Sequence, residues 1–315
     1  MLNAFMVREH RLVMMLPEDQ NFNLKHAVWV DLVDPTDEER ERVAVLYRRE
    51  LPETEDVDEI EASARFFLNE DGMHIHSLFL HDVEGRPHNT SVAFTLSNQR
   101  LFSLRERQIP AFRLLRMRAR HMVNTTIAPA SIYIALQEIK VEDLADTLEE
   151  VHQGLEEVSR MVLETEDRRL EAAIDELTRH EDTNGKVRLC LMDTQRDLAF
   201  LTRYGDLSDE ARHQVKDLLR DIASLLPHND FLFQKVTFLM SAAQGFISME
   251  QNQIIKIFSI AAVVFLPPTL VASIYGMNFR IIPELAWTFG YPFAIILMIL
   301  AGITPYWYFK RRGWL

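Results

Sequence analysis

The residues of this chain best placed to do chemistry lie near its C-terminal end, and none of them is charged. Asn252, Ile255, Ser259, Ala262, Leu266, Thr269 and Ser273 recur at intervals of three and four. At roughly 100° per residue they share one narrow stripe of a helix. Gly276, Met277 and Asn278 stand where that run ends. Small and polar residues on an otherwise apolar helix have two uses. They can pack helix against helix, which is common in lipid. Repeated around an axis by several copies, they can line a pore and present neutral oxygens to a hydrated cation. The stripe by itself leaves both uses open.

The element that carries the stripe must be apolar and long. From Ile257 to Phe279, and again from Leu285 to Phe309, there is no Asp, Glu, Lys, Arg or His. Each run is long enough to cross a hydrocarbon core of roughly 30 Å as a helix. The sequence therefore predicts a lipid-embedded protein with two closely spaced spans, 257–279 and 289–309, and a short external loop, 280–288. Lys310, Arg311 and Arg312 form a basic tail, 310–315, directly after the second span. The bias of basic residues toward the cytoplasm then puts the C-terminus inside, and two spans put the N-terminus there too. The opening MLNAFMVREH lacks the apolar core of a cleavable signal.

Charge divides along the same line. Of 34 Lys and Arg only Arg280, Lys310, Arg311 and Arg312 lie beyond Lys256, and of 47 Asp and Glu only Glu284, so the chain's −13 is −16 up to Lys256 and +3 after it. A strongly acidic body repels nucleic acid and favours cations. The single cysteine, Cys190, excludes an internal disulfide and a Cys-based zinc site.

Ahead of the spans the pattern predicts an α+β domain of α/β/α type over 1–130. AVWVDLV (27–33) reads as a strand, and Thr36 with Glu39 three residues on forms a capping box for the helix that follows. Strands follow at ARFFL, at MHIHSLFLHD after an Asp71-Gly72 turn, at SVAFTLS and at RLFSLRE. Residues 131–207 read as a hairpin of acidic amphipathic helices, with Gly185 and Gly205 as interruptions or ends. A stalk helix, 208–256, begins near Ser208 or Asp209 and continues into the first span, with Pro227 either kinking it or marking its start.

SIYGMNF (273–279), the FLPPTLVASIY before it, the IPELAWTFGYP after it and the ending YFKRRGWL together closely resemble the CorA magnesium transporter family, which carries Gly-Met-Asn between two C-terminal spans and a short basic tail. The resemblance is strongest over about residues 250–315 and extends more loosely over the whole chain. Ile282 is a small departure, because many relatives have Met there. The resemblance implies a funnel-shaped homopentamer in the cell inner membrane, with first spans around the pore and second spans facing the lipid bilayer. It makes Gly276, Met277 and Asn278 a selectivity filter. Asn252 and Thr269 match pore-lining positions, Ile255, Phe258 and Leu266 match apolar constrictions, and Ser273 lines the pore above them. Mg²⁺ would be both cargo and regulator, with Co²⁺ and Ni²⁺ as lesser substrates and no organic cofactor. Asp217 aligns with a regulatory carboxylate.

Mg²⁺ sheds its waters reluctantly, so a ring of amide and carbonyl oxygens suits it better than a bare carboxylate cage. Glycine lets the backbone turn a carbonyl toward the axis. No P-loop couples nucleotide to movement, and no nucleophile, base and orienter recur at a recognisable spacing, so an enzyme is not expected. Two readings compete with a magnesium channel. The zinc-transporting sister branch tends to carry Gly-Ile-Asn, and Met277 argues against it. A membrane-anchored scaffold that conducts nothing would tolerate Asn278→Ala. His74 and His76 share a strand face and could clamp a metal, though a structural role is the plainer reading without a third ligand. Cys190 reads as core, the acidic run from Glu138 to Asp182 as a solvated face or a weak cation reservoir, and the Met and Phe residues of FLFQKVTFLMSAAQGF as a stalk seam.

Overall fold

The computed structural model describes residues 1–9, 11–15, 23–44, 65–119, 127–163, 169–278 and 282–313. Ala64, Phe279, Arg280 and the last two residues of the tail, on which part of the sequence reading falls, lie outside them. The chain forms two units, Met1–Met240 and Ser241–Leu315.

In the first unit a seven-stranded sheet is ordered β2-β1-β3-β7-β6-β5-β4. The strands are β1 (Leu2–Arg8), β2 (Arg11–Met15), β3 (Trp29–Val33), β4 (Phe66–Asn69), β5 (Gly72–Val83), β6 (Arg86–Leu96) and β7 (Leu101–Arg105). Only β3 and β7 pair in parallel; every other neighbour is antiparallel. All five residues of β3 and of β7 are buried, which marks the middle of the sheet as covered on both faces. On one face Val30, Leu32, Phe102 and Leu104 pack with Val43 of α1 (Asp37–Ala44). On the other, Trp29, Phe79 and Phe94 meet Phe112 of α2 (Pro110–Ala119), and Phe94 meets Tyr133 of α3 (Pro129–Leu163) edge-on at 5.0 Å. The result is the expected α/β/α layering.

Local signals place several of these elements. The Thr36 N–H donates to Glu39 Oε2 at 3.1 Å and the Glu39 N–H to Thr36 Oγ1 at 3.4 Å, a reciprocal cap on α1. Asn69 Oδ1 accepts from the Asp71 and Gly72 N–H groups at the β4–β5 turn. Gly72 has φ +139°, and a Cβ there would lie 2.3 Å from the Leu96 carbonyl oxygen, so only glycine fits. The N-terminal hairpin of β1 and β2 announces itself poorly, because its turn residue is Glu9 at φ 52° rather than a glycine. The β5–β6 ladder also runs further than MHIHSLFLHD and SVAFTLS suggest, meeting at a Glu84-Gly85 turn in which both residues have positive φ.

The acidic helices are α3 and α4 (Leu170–Tyr204), and they pack on each other. Gly205 caps α4, whereas Gly185 lies inside it without interrupting it, its flank open to space. The long helix α5 spans Asp209–Tyr275. Ser208 Oγ accepts the Ala211 N–H at 3.2 Å and opens it. Pro227 therefore does not begin the helix. Two residues later Asn229 is locked to Asn184 of α4: Asn229 Nδ2 donates to the Asn184 carbonyl at 2.8 Å, and the Asn229 carbonyl accepts from Asn184 Nδ2 at 3.1 Å. In the FLFQKVTFLM stretch the buried seam is Leu232, Val236 and Leu239, and Phe231, Phe233 and Phe238 are exposed, so the seam follows the branched aliphatics rather than the Phe residues.

The second unit holds the rest of α5, a 3₁₀ turn at Pro283–Ala286 and α6 (Gly290–Arg311). Both α5 and α6 contain segments long and apolar enough to cross a membrane. Helix α5 closes at Tyr275, so Met277 and Asn278 stand beyond it and the charge-free run to Phe279 is longer than its helix.

Candidate ion pathway

Within the second unit α5 has two unlike faces. Ile260, Val264, Pro268, Val271 and Tyr275 are half-buried and fall on one side of the helix. Helix α6 covers that side: a Cβ added to Gly302 would lie 3.2 Å from Pro268 Cγ and 3.6 Å from the Val264 carbonyl oxygen. At 3.6 residues per turn, the stripe from Asn252 to Ser273 centres about 180° from those five residues. Exposure alone does not single the stripe out, because every residue from 251 to 259 is open. Its position opposite α6 does. Ile255, Phe258 and Leu266 are apolar yet 62%, 71% and 66% exposed among the described residues.

The stripe is polar where the sequence reading needs it. Thr269 Oγ1 donates to the Phe265 carbonyl at 2.7 Å, which uses its proton within the helix and leaves oxygen lone pairs for another donor, such as the water of a hydrated cation. Ala262, Leu266, Thr269 and Ser273 line a shallow groove of about 390 Å³ on this face.

At the end of the stripe the Gly276 N–H bonds the Ala272 carbonyl at 2.9 Å and the Met277 N–H bonds the Ile274 carbonyl at 3.3 Å. The turn tightens and the chain leaves the helix. Gly276 has no left-handed φ, and a Cβ there would sit 3.1 Å from the Ala272 carbonyl oxygen, a close approach that glycine relieves. Met277 and Asn278 are exposed beyond a helix C-terminus. That end carries unpaired carbonyls and the negative pole of the helix dipole, and an Asn amide oxygen adds to it, so a cation is favoured there without any carboxylate. The loop is fixed behind it by backbone packing: a Cβ on Gly290 would be 2.2 Å from the Glu284 carbonyl oxygen, and Trp287 meets Phe293 edge-on at 6.2 Å.

The remaining candidates lie in the first unit. Asp217 is exposed on α5 and held by its own helix, 3.2 Å from Arg220 Nη1 and 3.6 Å from His213 Nε2. His74 is structural: its Nε2 bonds Asn69 Oδ1 at 2.9 Å, its Nδ1 meets Thr95 Oγ1 at 3.1 Å, and Phe67 stacks on the ring at 4.3 Å. His76 is buried, and burial, with help from the His74 and Arg65 charges, lowers its pKa to about 4. Cys190 is fully buried, as a core residue should be, and burial pushes its thiol up to about 12.

Sequence reasoning did not anticipate the cleft of about 470 Å³ where Asp82 of β5 faces Asp143, Asp146 and Glu150 of α3 and His180 of α4. Asp143 is raised above the usual carboxylate range by partial desolvation and by the Asp146 and Glu150 charges. Only the fold brings Asp82 to the acidic helices, so no spacing along the chain could have revealed it. Even so, among the described residues no three His, Cys, Asp or Glu side chains converge as metal ligands.

The family described as CorA-like Mg²⁺ transporter protein matches residues 25–311. A magnesium transport protein CorA of Yersinia pseudotuberculosis is 53% identical over 320 residues, covering all of both chains, and one of Escherichia coli is 52% identical over 317 residues, again covering all of both. The complete structure of a CorA magnesium transporter from Methanocaldococcus jannaschii superposes with TM-score 0.79 at 20% identity, over 100% of this chain and 98% of that one.

Proposed function

The chain belongs to the CorA-like Mg²⁺ transporter family, and from that premise we propose that it carries Mg²⁺ passively through a pore built by copies of the α5 stripe. The observation that supports the reading is the stripe on the face of α5 opposite α6, with Gly276-Met277-Asn278 directly beyond the helix end. A homopentamer would turn five stripes toward one axis, give Ile255, Phe258 and Leu266 the apolar cover they lack, and set five Asn278 amides at the mouth. Hydrated Mg²⁺ would meet neutral oxygens there and be drawn inward by the membrane potential. Two charges crossing about 100 mV gain roughly 4–5 kcal/mol, enough to drive entry without nucleotide. Dry rings of Ile255, Phe258 and Leu266 close the path by dewetting. Co²⁺ and Ni²⁺ travel the same route less readily.

The membrane is the cell inner membrane, with both termini in the cytoplasm. The acidic first unit then faces cytosolic Mg²⁺, which, bound between carboxylates of neighbouring copies with Asp217 among them, holds the pore shut. Loss of that ion leaves like charges to repel and frees the long helices to move. Patch-clamp recording with controlled internal solution tests this: current should fall as internal Mg²⁺ rises into the millimolar range, and current indifferent to internal Mg²⁺ contradicts the feedback.

A further inference from the structure

A pair of histidines outside the ion pathway has geometry that neither the pathway nor the core requires. His152 of α3 and His228 of α5 lie with ring centres 5.9 Å apart and planes inclined by 37°. Both are half-buried, and both belong to the first unit. Phe231 lies 6.4 Å from each ring and shields one side of the gap. Nδ1 of His152 is buried and, among the described residues, has no hydrogen-bond partner. A buried ring nitrogen left unmatched carries its full desolvation cost.

Two imidazoles that share one ion have a narrow range of separations. With metal–nitrogen bonds of about 2.0–2.1 Å, ring centres fall about 5 to 6.5 Å apart for ordinary ligand angles. The observed spacing lies inside that range. Imidazole nitrogen suits borderline divalent ions such as Co²⁺, Ni²⁺ and Zn²⁺, whereas Mg²⁺ prefers oxygen. We propose that His152 and His228 form a two-imidazole site for a transition-metal ion, completed by water, that joins α3 to the long helix α5 and does not accept Mg²⁺. Glu156, one helical turn from His152, pairs with Lys235 of α5 and ties the same two helices together beside the histidines.

The test uses the purified full chain in detergent with saturating Mg²⁺, so that sites open to Mg²⁺ are already filled, and titrates Co²⁺ alone by calorimetry. One ion per chain should bind, and His152→Gln and His228→Gln should each weaken it at least tenfold, while the exposed His213→Gln changes nothing. Co²⁺ binding that survives both substitutions overturns the proposal, as does the absence of any Mg²⁺-resistant binding. Crystals of the unaltered chain soaked in Co²⁺ give a reading that needs no variant: an anomalous peak between the two rings supports the site, and its absence at saturating Co²⁺ overturns it.

Discussion

At the scale of single residues, burial sets two opposing pH dependences. His76 titrates near 4 in the folded chain against an ordinary 6.5, because burial disfavours its charged form. Between those values the unfolded chain holds a proton that the folded chain does not, so stability rises with pH across that window. Asp197 is the reverse. Burial pushes it up to about 7 from 3.8, against the pull of Lys140 4.0 Å away and of the bond from Ser77, so its contribution falls as pH rises from 3.8 toward 7. Thermal midpoints of the full chain between pH 4 and 7 should separate the two. His76→Gln should remove the rising component, worth at most about 3 kcal/mol, and Asp197→Asn the falling one. Unchanged slopes in both variants would contradict these assignments. The buried pair of Arg105 and Asp31, joined at 2.8 Å with both side chains fully covered, gives a sharper test. Arg105→Leu strands the Asp31 carboxylate and should cost about 3–5 kcal/mol, read as a large fall in melting temperature. The pairing does not show in the sequence: Asp31 and Arg105 look like ordinary polar residues until β3 and β7 pair and set Asp31 opposite Ser103, two residues from Arg105.

At the scale of elements, what could be read in advance is what local chemistry decides. The capping box at Thr36 and Glu39, the Asp71-Gly72 turn and the charge-free runs each act within a few residues, and each lies where the spacing puts it. The β1–β2 hairpin lacks such a mark, and the helical Gly185 carries a misleading one. Pro227 shows the limit clearly: its missing N–H weakens one turn, but the Asn184–Asn229 lock and the buried Leu232 and Val236 hold the helix through it. The stripe on α5 is legible as a period, but the sequence does not say which face of the helix α6 covers, and the structure puts α6 opposite the stripe. Gly302 is the test of that contact. Gly302→Leu would drive a side chain into Pro268 and the Val264 carbonyl and should cost on the order of 1–3 kcal/mol. A lower melting temperature in detergent is expected; an unchanged one would contradict the packing of α6 on α5.

At the scale of the whole molecule the organising fact is a division of charge. An acidic body of −16 precedes two candidate spans and a basic tail that sum to +3, so the acidic surface is separated along the chain from the segments apolar enough to cross lipid. From Ile257 to Phe279 the chain holds no carboxylate, so the proposed pathway would offer amides, hydroxyls and carbonyls between its apolar residues, which would suit an ion that keeps its water. Among the described residues the apolar residues of the stripe are uncovered, and the ring of copies proposed above would cover them. The most direct test of this account is Mg²⁺ entry into liposomes that hold the purified protein and an internal indicator, compared between the unaltered chain and Asn278→Ala. The account predicts rapid entry through the unaltered chain and a loss of at least tenfold on removing the amide, with the fold intact by circular dichroism. Equal entry through both proteins, or none through either, would contradict the claim that Gly276-Met277-Asn278 forms the mouth of a magnesium pore.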